Sequence, residues 1–167
     1  MSELVGAGHT AVVVTSSNRA AAGVYSDTSG PVIVERLREW GFQVDDAVVV
    51  ADGDAFGAAL REAIGRAPSL VLTTGGTGLT PTDVTPEQTL PVLDRLVPGV
   101  AEALRAAGIA KGVPTAMLSR GLVGISGATF VANLPGSRGG VRDALAVLEP
   151  VLAHVLSQVA GGDHPRS

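Results

Sequence analysis

A layered α/β fold is what this 167-residue sequence predicts, and three observations carry the expectation. The apolar run Ala11 to Thr15, without alternation, reads as a strand covered on both faces, as in a parallel sheet, and Val44 to Val50 and the apolar stretch Leu70 to Leu72 read as further strands. Segments with helical apolar spacing stand between them. Glycine and proline punctuate the junctions, and such an alternation points away from all-α and all-β architectures.

The first strand, Ala11 to Thr15, leads into a loop from Ser16 to Ser29. A helix follows in which Ile33, Leu37 and Trp40 recur at i, i+4 and i+7, with Glu35, Arg36, Arg38 and Glu39 on the other face. Ser29 or Gly30 is expected to cap it, Pro31 suits its first turn, and Gly41 stops it. Val44 to Val50 is the second strand. Asp54 is placed to cap the next helix, whose stripe is Phe56, Leu60, Ala63 and Ile64, and Pro68 closes that unit. The third strand carries a glycine-rich turn. Thr85-Pro86-Glu87-Gln88 has the form of a capping box with proline at the first helical position. Pro91 makes that helix short or kinked, because an interior proline removes a hydrogen bond and clashes with the preceding turn. Val100, Leu104 and Ala107 mark a helix ending at Gly108, and Met117-Leu118 reads as a short strand. Gly121 to Ile125 and Thr129 to Leu134 form either a hairpin or a strand-to-strand bend around Ser126-Gly127-Ala128. The last helix has its stripe at Val141, Leu145, Leu148, Leu152, Val155 and Val159, with Pro150 kinking or restarting it. One domain over residues 1–160 and a disordered tail over 161–167 are expected.

The run Thr73-Thr74-Gly75-Gly76-Thr77-Gly78 follows the third strand and is itself followed by Asp83. A buried strand that ends in glycines and threonines gathers backbone N–H groups and hydroxyls at one point, an arrangement suited to phosphate oxygens. An acid beside such a cradle does not attract the anion directly. A divalent cation, Mg²⁺, bridging carboxylate and phosphate reconciles the two, and makes phosphoryl or nucleotidyl transfer the first hypothesis. Neither standard phosphate motif applies: no lysine follows the glycines as in a Walker loop, and Pro81 stands where the dinucleotide fingerprint needs its third glycine. The plain alternative is that the glycines only let the chain turn. Their position after a central strand, where open α/β sheets place ligands, weighs against it.

Composition narrows the partners. The net charge of −4 and the absence of a Lys/Arg block argue against nucleic acid or an anionic membrane surface, and 3% aromatic content argues against a base-stacking platform. With no cysteine there is no thiol catalysis, disulfide, iron–sulfur cluster or Cys-based zinc site. No apolar run is long enough to span a membrane, so a cytoplasmic protein is expected. A hydrophobic content of 46% is enough for a substantial core.

Four ordered segments then carry a resemblance: Thr73 to Gly78, Asp83-Val84-Thr85-Pro86-Glu87, Leu118-Ser119-Arg120 and Asn133-Leu134-Pro135-Gly136-Ser137. With Asp27 to Pro31 they resemble the MoaB/Mog family of molybdenum cofactor biosynthesis proteins, over nearly the whole chain. The resemblance implies a three-layer α/β/α molybdopterin-binding fold with a mostly parallel mixed sheet. It also implies a homotrimer or higher assembly, contact with other proteins of the pathway, and adenylylation of molybdopterin by Mg-ATP. It makes Asp52 and Asp83 the metal-linked catalytic residues. It brings Thr74, Gly75, Gly76, Thr77, Gly78, Ser119, Arg120, Pro135, Gly136, Ser137, Ser16 and Ser29 into the set that holds substrate.

The reaction fits what the chain lacks. A terminal phosphate, largely dianionic near neutral pH with a second pKa of about 6, needs no general base to attack. His9, His154 and His164 lie outside the motifs and are expected at surface or terminal positions. Attack on an α-phosphate needs relief of anion repulsion, from a cation, backbone N–H groups and Arg or Lys. Asp83 either serves the cation or only caps the following helix. Asp54 either shares the role of Asp52 or caps its own helix. Arg120 is suited to phosphate or pterin oxygens, with a surface salt bridge as its alternative. Ser137 is read as ligand contact, helix cap, or both. Thr15 to Arg19 is a further phosphate-friendly turn. A non-catalytic molybdopterin carrier and, on fold analogy, a flavin carrier are the competing functions.

Overall fold

The computed structural model describes residues 2–163. Seven strands form one sheet: β1 (Thr10–Ser16), β2 (Gln43–Val44), β3 (Val48–Val50), β4 (Leu70–Thr74), β5 (Arg95–Leu96), β6 (Val123–Ser126) and β7 (Thr129–Leu134). Their order is β2-β1-β4-β7-β6-β5, with β3 also paired to β1. The β1–β2, β1–β3, β1–β4 and β4–β7 pairings are parallel, while β6 pairs antiparallel with both β7 and β5. The expected mixed, mostly parallel sheet is therefore what the chain forms.

Six helices cover it: α1 (Asn18–Ala21), α2 (Ser29–Glu39), α3 (Asp54–Gly65), α4 (Thr85–Thr89), α5 (Pro98–Ala110) and α6 (Arg138–Val159). Alternate residues of the central strands face opposite layers. Leu70 and Leu72 of β4 join Phe130, Ala132 and Leu134 of β7 in a core completed by Ile33 and Leu37 of α2 and by Val141, Leu145, Leu148 and Leu152 of α6. Val71 and Val131 point the other way, onto Phe56, Leu60 and Ala63 of α3. Every residue of β4 is buried, and its first three, Leu70, Val71 and Leu72, are accordingly all apolar, while the buried Thr73 and Thr74 lead into the glycine turn.

Several elements differ from expectation for local reasons. The second strand is broken at residues 45–47 into β2 and β3, so two short stretches pair with β1 in place of one long strand. Neither Ser29 nor Gly30 caps α2: both backbone N–H groups donate to Asp27 Oδ1 at 3.1 Å, so the cap is an aspartate lying before the helix. Asp54 is the first residue of α3, and the N-cap is Gly53 at φ +88°. Thr85 likewise makes no capping box, because its hydroxyl donates to the Gly75 carbonyl at 3.0 Å. Pro91 has the foreseen effect: α4 stops at Thr89 and a 3₁₀ turn, Leu90–Val92, follows.

Gly108 does not stop α5. It lies inside the helix, where a Cβ would come within 2.5 Å of the Ala116 Cβ, so it serves close packing against the next segment. That segment, Pro114–Leu118, is a 3₁₀ turn rather than the strand read at Met117-Leu118. β6 and β7 make the hairpin alternative. α6 runs unbroken through Pro150, which sits on its exposed face where water can take the freed carbonyl. At its end the Gly161 and Gly162 N–H groups donate back to the Gln158 and Ser157 carbonyls at 2.9 and 2.8 Å. The rest of the expected tail, residues 164–167 with His164, lies outside the described residues.

Candidate functional site

The sheet register assembles the site. Ser16 of β1 stands opposite Val50 of β3, Thr15 opposite Thr74 of β4, and Thr74 opposite Leu134 of β7. Four parallel strands thus end in one row, and the residues just past each end, Ser17, Asp52, Gly75-Gly76 and Pro135-Gly136, meet at the carboxyl edge where open α/β sheets bind ligands.

Hydrogen bonds tie these loops to one another. Thr74 Oγ1 donates to the Pro135 carbonyl at 2.6 Å, and Ser29 Oγ donates to the Gly136 carbonyl at 2.7 Å. Ser16 Oγ donates to the Asp52 carboxylate, whose backbone N–H donates to Asn18 Oδ1 at 3.0 Å. Beneath the glycine turn lies the buried Asn133, whose Nδ2 donates to Thr73 Oγ1 at 2.9 Å and Thr89 Oγ1 at 3.2 Å. Its Oδ1 accepts from Leu122 N at 3.0 Å. Gly75 and Gly76 both have positive φ, +88° and +70°. A Cβ on Gly75 would lie 2.3 Å from the Ser16 carbonyl oxygen, so here glycine is required both by conformation and by space.

Two adjoining cavities open on this edge. The larger, about 710 Å³, is bounded by the glycine turn, by Ser119, Pro135 and Ser137, and by α5 with Arg105 and Lys111. The smaller, about 370 Å³, gathers Ser16, Ser29, Thr74 and Thr82 around Asp27, Asp52 and Asp83. Gly75, Gly76, Asp83 and Gly136 border both, so they form the wall across which two ligands would meet. Thr77 and Gly78 face the larger cavity only. Asp52 and Asp83 accordingly line one cavity, from different loops.

Asp83 is set by its own turn. Its N–H donates to the Thr80 carbonyl at 3.0 Å, and Thr80 N–H donates back to Asp83 Oδ2 at 3.1 Å. Its side chain does not bond the first turn of α4, the capping alternative. Ser137 both lines the larger cavity and caps α6, accepting from Gly140 N at 3.1 Å. Asp54 borders neither cavity.

Arg120 borders neither of these two cavities but lines a third, of about 400 Å³, with Ser119 and Arg105, and its guanidinium donates to protein acceptors: the Gly78 carbonyl at 2.9 Å, the Asp83 carbonyl at 2.6 Å and the Glu87 carboxylate. The salt-bridge alternative, to Glu87, is the one present. This hydrogen bond holds the Glu87 carboxyl below its ordinary range. His9, half-buried, pairs its Nδ1 with Ser69 Oγ at 2.8 Å at the opposite edge of the sheet, and His154 is exposed on α6.

Asp27, Arg105 and Lys111 were not singled out as site residues from sequence. Asp27 had a signal, an acid placed two residues before a helix, and its second oxygen accepts from Thr15 Oγ1 at 2.8 Å. The two cations had none, since charged residues on a helix face are usually solvated.

Among the described residues, no group of three or more His, Asp or Glu could hold a metal by itself. Two carboxylates with hydroxyls beside them are nonetheless a donor set that suits Mg²⁺, which takes one or two carboxylates, substrate phosphates and water.

Comparison with known proteins agrees with this geometry. A family described as "Probable molybdopterin binding domain" matches residues 11–154. The molybdopterin adenylyltransferase of Helicobacter pylori strain J99 is 35% identical over 153 residues, 89% of this chain and 86% of that protein. A bifunctional molybdenum cofactor biosynthesis protein of Synechococcus elongatus is 43% identical over 159 residues, 95% of this chain and 50% of that protein. The chain thus spans about half the length of that curated relative. A solved Mog protein from Mycobacterium ulcerans superposes with a TM-score of 0.86 at 51% identity, covering 90% of this chain and 99% of that one.

Proposed function

The chain belongs to the MoaB/Mog family of molybdenum cofactor biosynthesis proteins, and from that premise we propose that it adenylylates molybdopterin with Mg-ATP and releases pyrophosphate. The observation that carries this reading is the shared wall of the two cavities, where the glycine turn and Asp83 face both. The larger cavity has apolar walls and two cations, suited to a fused-ring pterin with a terminal phosphate. The smaller has hydroxyls and carboxylates, suited to a triphosphate and its cation. Both phosphates then approach the same glycines, whose backbone tolerates close contact.

Asp52 and Asp83 would hold the Mg²⁺, with Ser16 orienting the Asp52 carboxylate. The cation, when bound, supplies charge neutralisation for the attacking phosphate and the departing pyrophosphate. The protein supplies the rest. Ser29 and Thr74 fix the Pro135-Gly136 turn against the glycine turn, so that the two anions are held at one distance. Lys111, exposed at the rim, and Arg105, whose Nη1 donates to the Ser119 and Gly121 carbonyls at 3.3 Å, place positive charge on the α5 side of the cavity, where it would offset the negative charge of the pterin phosphate. No side chain has to take a proton.

Incubation of the protein with molybdopterin and Mg-ATP tests the proposal. Adenylylated molybdopterin and stoichiometric pyrophosphate are expected. Tight molybdopterin binding without either product would establish the carrier instead. A homotrimer belongs to the same reading, and a monomeric mass by light scattering at micromolar concentration would remove it. No helix among the described residues is long and apolar enough to cross a membrane, and we place the activity in the cytoplasm.

A further inference from the structure

We propose that Arg120 is a positioning residue for Asp83: its guanidinium braces the loop from Gly78 to Asp83 and thereby presents the Asp83 carboxylate to the cavity that also holds Asp52. The inference rests on the reading of Asp83 given above.

Within the loop, Thr80 and Asp83 bond each other, at 3.0 and 3.1 Å, but these bonds do not tie the turn to the rest of the molecule. Leu79 is 64% exposed, and Thr80, Pro81 and Thr82 are exposed as well, so no apolar burial fixes the backbone. One residue supplies the anchorage at both ends. Nε donates to the Gly78 carbonyl at 2.9 Å, where the loop leaves the glycine turn, and Nη2 donates to the Asp83 carbonyl at 2.6 Å, where it returns. The Arg120 backbone N–H donates to the Thr77 carbonyl at 2.8 Å. Nη1 pairs with Glu87 in the first turn of α4, and this ion pair aims the fork and tethers it to the helix that follows Asp83.

The geometry selects a guanidinium. The two carbonyls are bonded by different nitrogens of one rigid plane while a third nitrogen holds a carboxylate. Lysine, a single ammonium on a flexible stem, cannot reproduce three directions at once. Gly78 adds a steric condition, since a Cβ there would come within 2.8 Å of Asp83 Oδ2, so the braced carboxylate lies close over the glycine backbone. Loss of the brace frees a loop with few other restraints, and such segments open locally without global unfolding. Ser119, one residue earlier, borders the larger cavity, so the chain that lines one cavity also steadies the acid of the other.

The test uses the full chain with Arg120→Gln and Arg120→Lys, with thermal unfolding as the folding control. Amide exchange of the peptide spanning Gly78 to Val84, without ligand, is expected to accelerate about tenfold or more in both variants, while exchange in β4 stays unchanged. Mn²⁺ binding in the presence of ATP, read by electron paramagnetic resonance, is expected to weaken about tenfold. In turnover, the KM for Mg-ATP rises while the KM for molybdopterin holds, and methylguanidinium partly restores an Arg120→Ala variant. Wild-type loop exchange in Arg120→Gln overturns the proposal, as does full function in Arg120→Lys. A raised KM for molybdopterin with loop exchange unchanged would instead make Arg120 a substrate contact. Should the wild-type protein yield no adenylylated product, the adenylyltransferase reading fails, and the exchange and Mn²⁺ measurements still decide the brace.

Discussion

Replacing Gly75 by alanine probes the closest approach in the site. At φ +88° an L-residue is strained by about 1–2 kcal/mol. The new Cβ would also lie 2.3 Å from the Ser16 carbonyl oxygen, with the Ser16 carbonyl carbon at 3.3 Å. Both are backbone atoms of β1, the strand between β4 and its parallel neighbours, so no side chain can rotate away. Such overpacking adds about 1–3 kcal/mol, for a sum near 3 kcal/mol. In a domain of this size each kcal/mol lowers Tm by about 2–4 °C, so a fall of about 6–12 °C is expected. Gly127→Ala is the control. It has φ +57° in the β6–β7 turn with nothing within 4 Å, so strain acts alone and the fall should be about half as large or less. Thermal unfolding followed by circular dichroism measures both. Equal falls, or a Gly75→Ala Tm within two or so degrees of wild type, would refute the assignment of this glycine to steric necessity.

Asp83→Asn should keep molybdopterin binding and lose nucleotide transfer by about a hundredfold or more, and wild-type turnover would remove Asp83 from the mechanism. Glu87 is depressed below its ordinary 4.5 by its hydrogen bond to Arg120, so its contribution is full above that value and is lost as pH falls through the lower folded value. Being well exposed, it contributes little. The acid limb of the urea-midpoint profile should therefore flatten slightly in Glu87→Gln, and an unchanged limb would show that the ion pair does not act in solution. Gly99, in the first turn of α5 with open space around its Cβ position, should accept alanine with a gain of up to about 1 kcal/mol, measured as a raised urea midpoint.

What the sequence disclosed and what it hid follow from range. The buried strands Thr10–Ser16 and Leu70–Thr74 announce themselves by composition, since both faces must be apolar. The glycine turn and Asp83 announce themselves because few other residues can occupy such positions. Caps were less legible: Ser29 and Thr85 have the right residue type, yet a competing partner decided the outcome, and at α3 the helix begins one residue early, with Gly53 at the cap and Asp54 inside it. Asp27 reached the α2 amides first, and the Gly75 carbonyl captured the Thr85 hydroxyl from ten residues away. Gly108 reads as a stop only when Ala116 is left out of view. Arg120 had the chemistry of an anion ligand, and only tertiary folding shows three protein oxygens already in its reach. Arg105 and Lys111 illustrate the reverse, ordinary helix charges that the packing of α5 turns toward a cavity.

The sheet ends in stubs on both sides. β5 is two residues long and begins with an arginine, and at the other rim β2 and β3 are two and three residues separated by a break. Unpaired main-chain groups on a long flat rim invite other chains to dock by adding strands, and these rims offer almost no such template. A folded copy is therefore a poor seed for fibrillar growth, and any aggregation on heating has to begin from opened molecules.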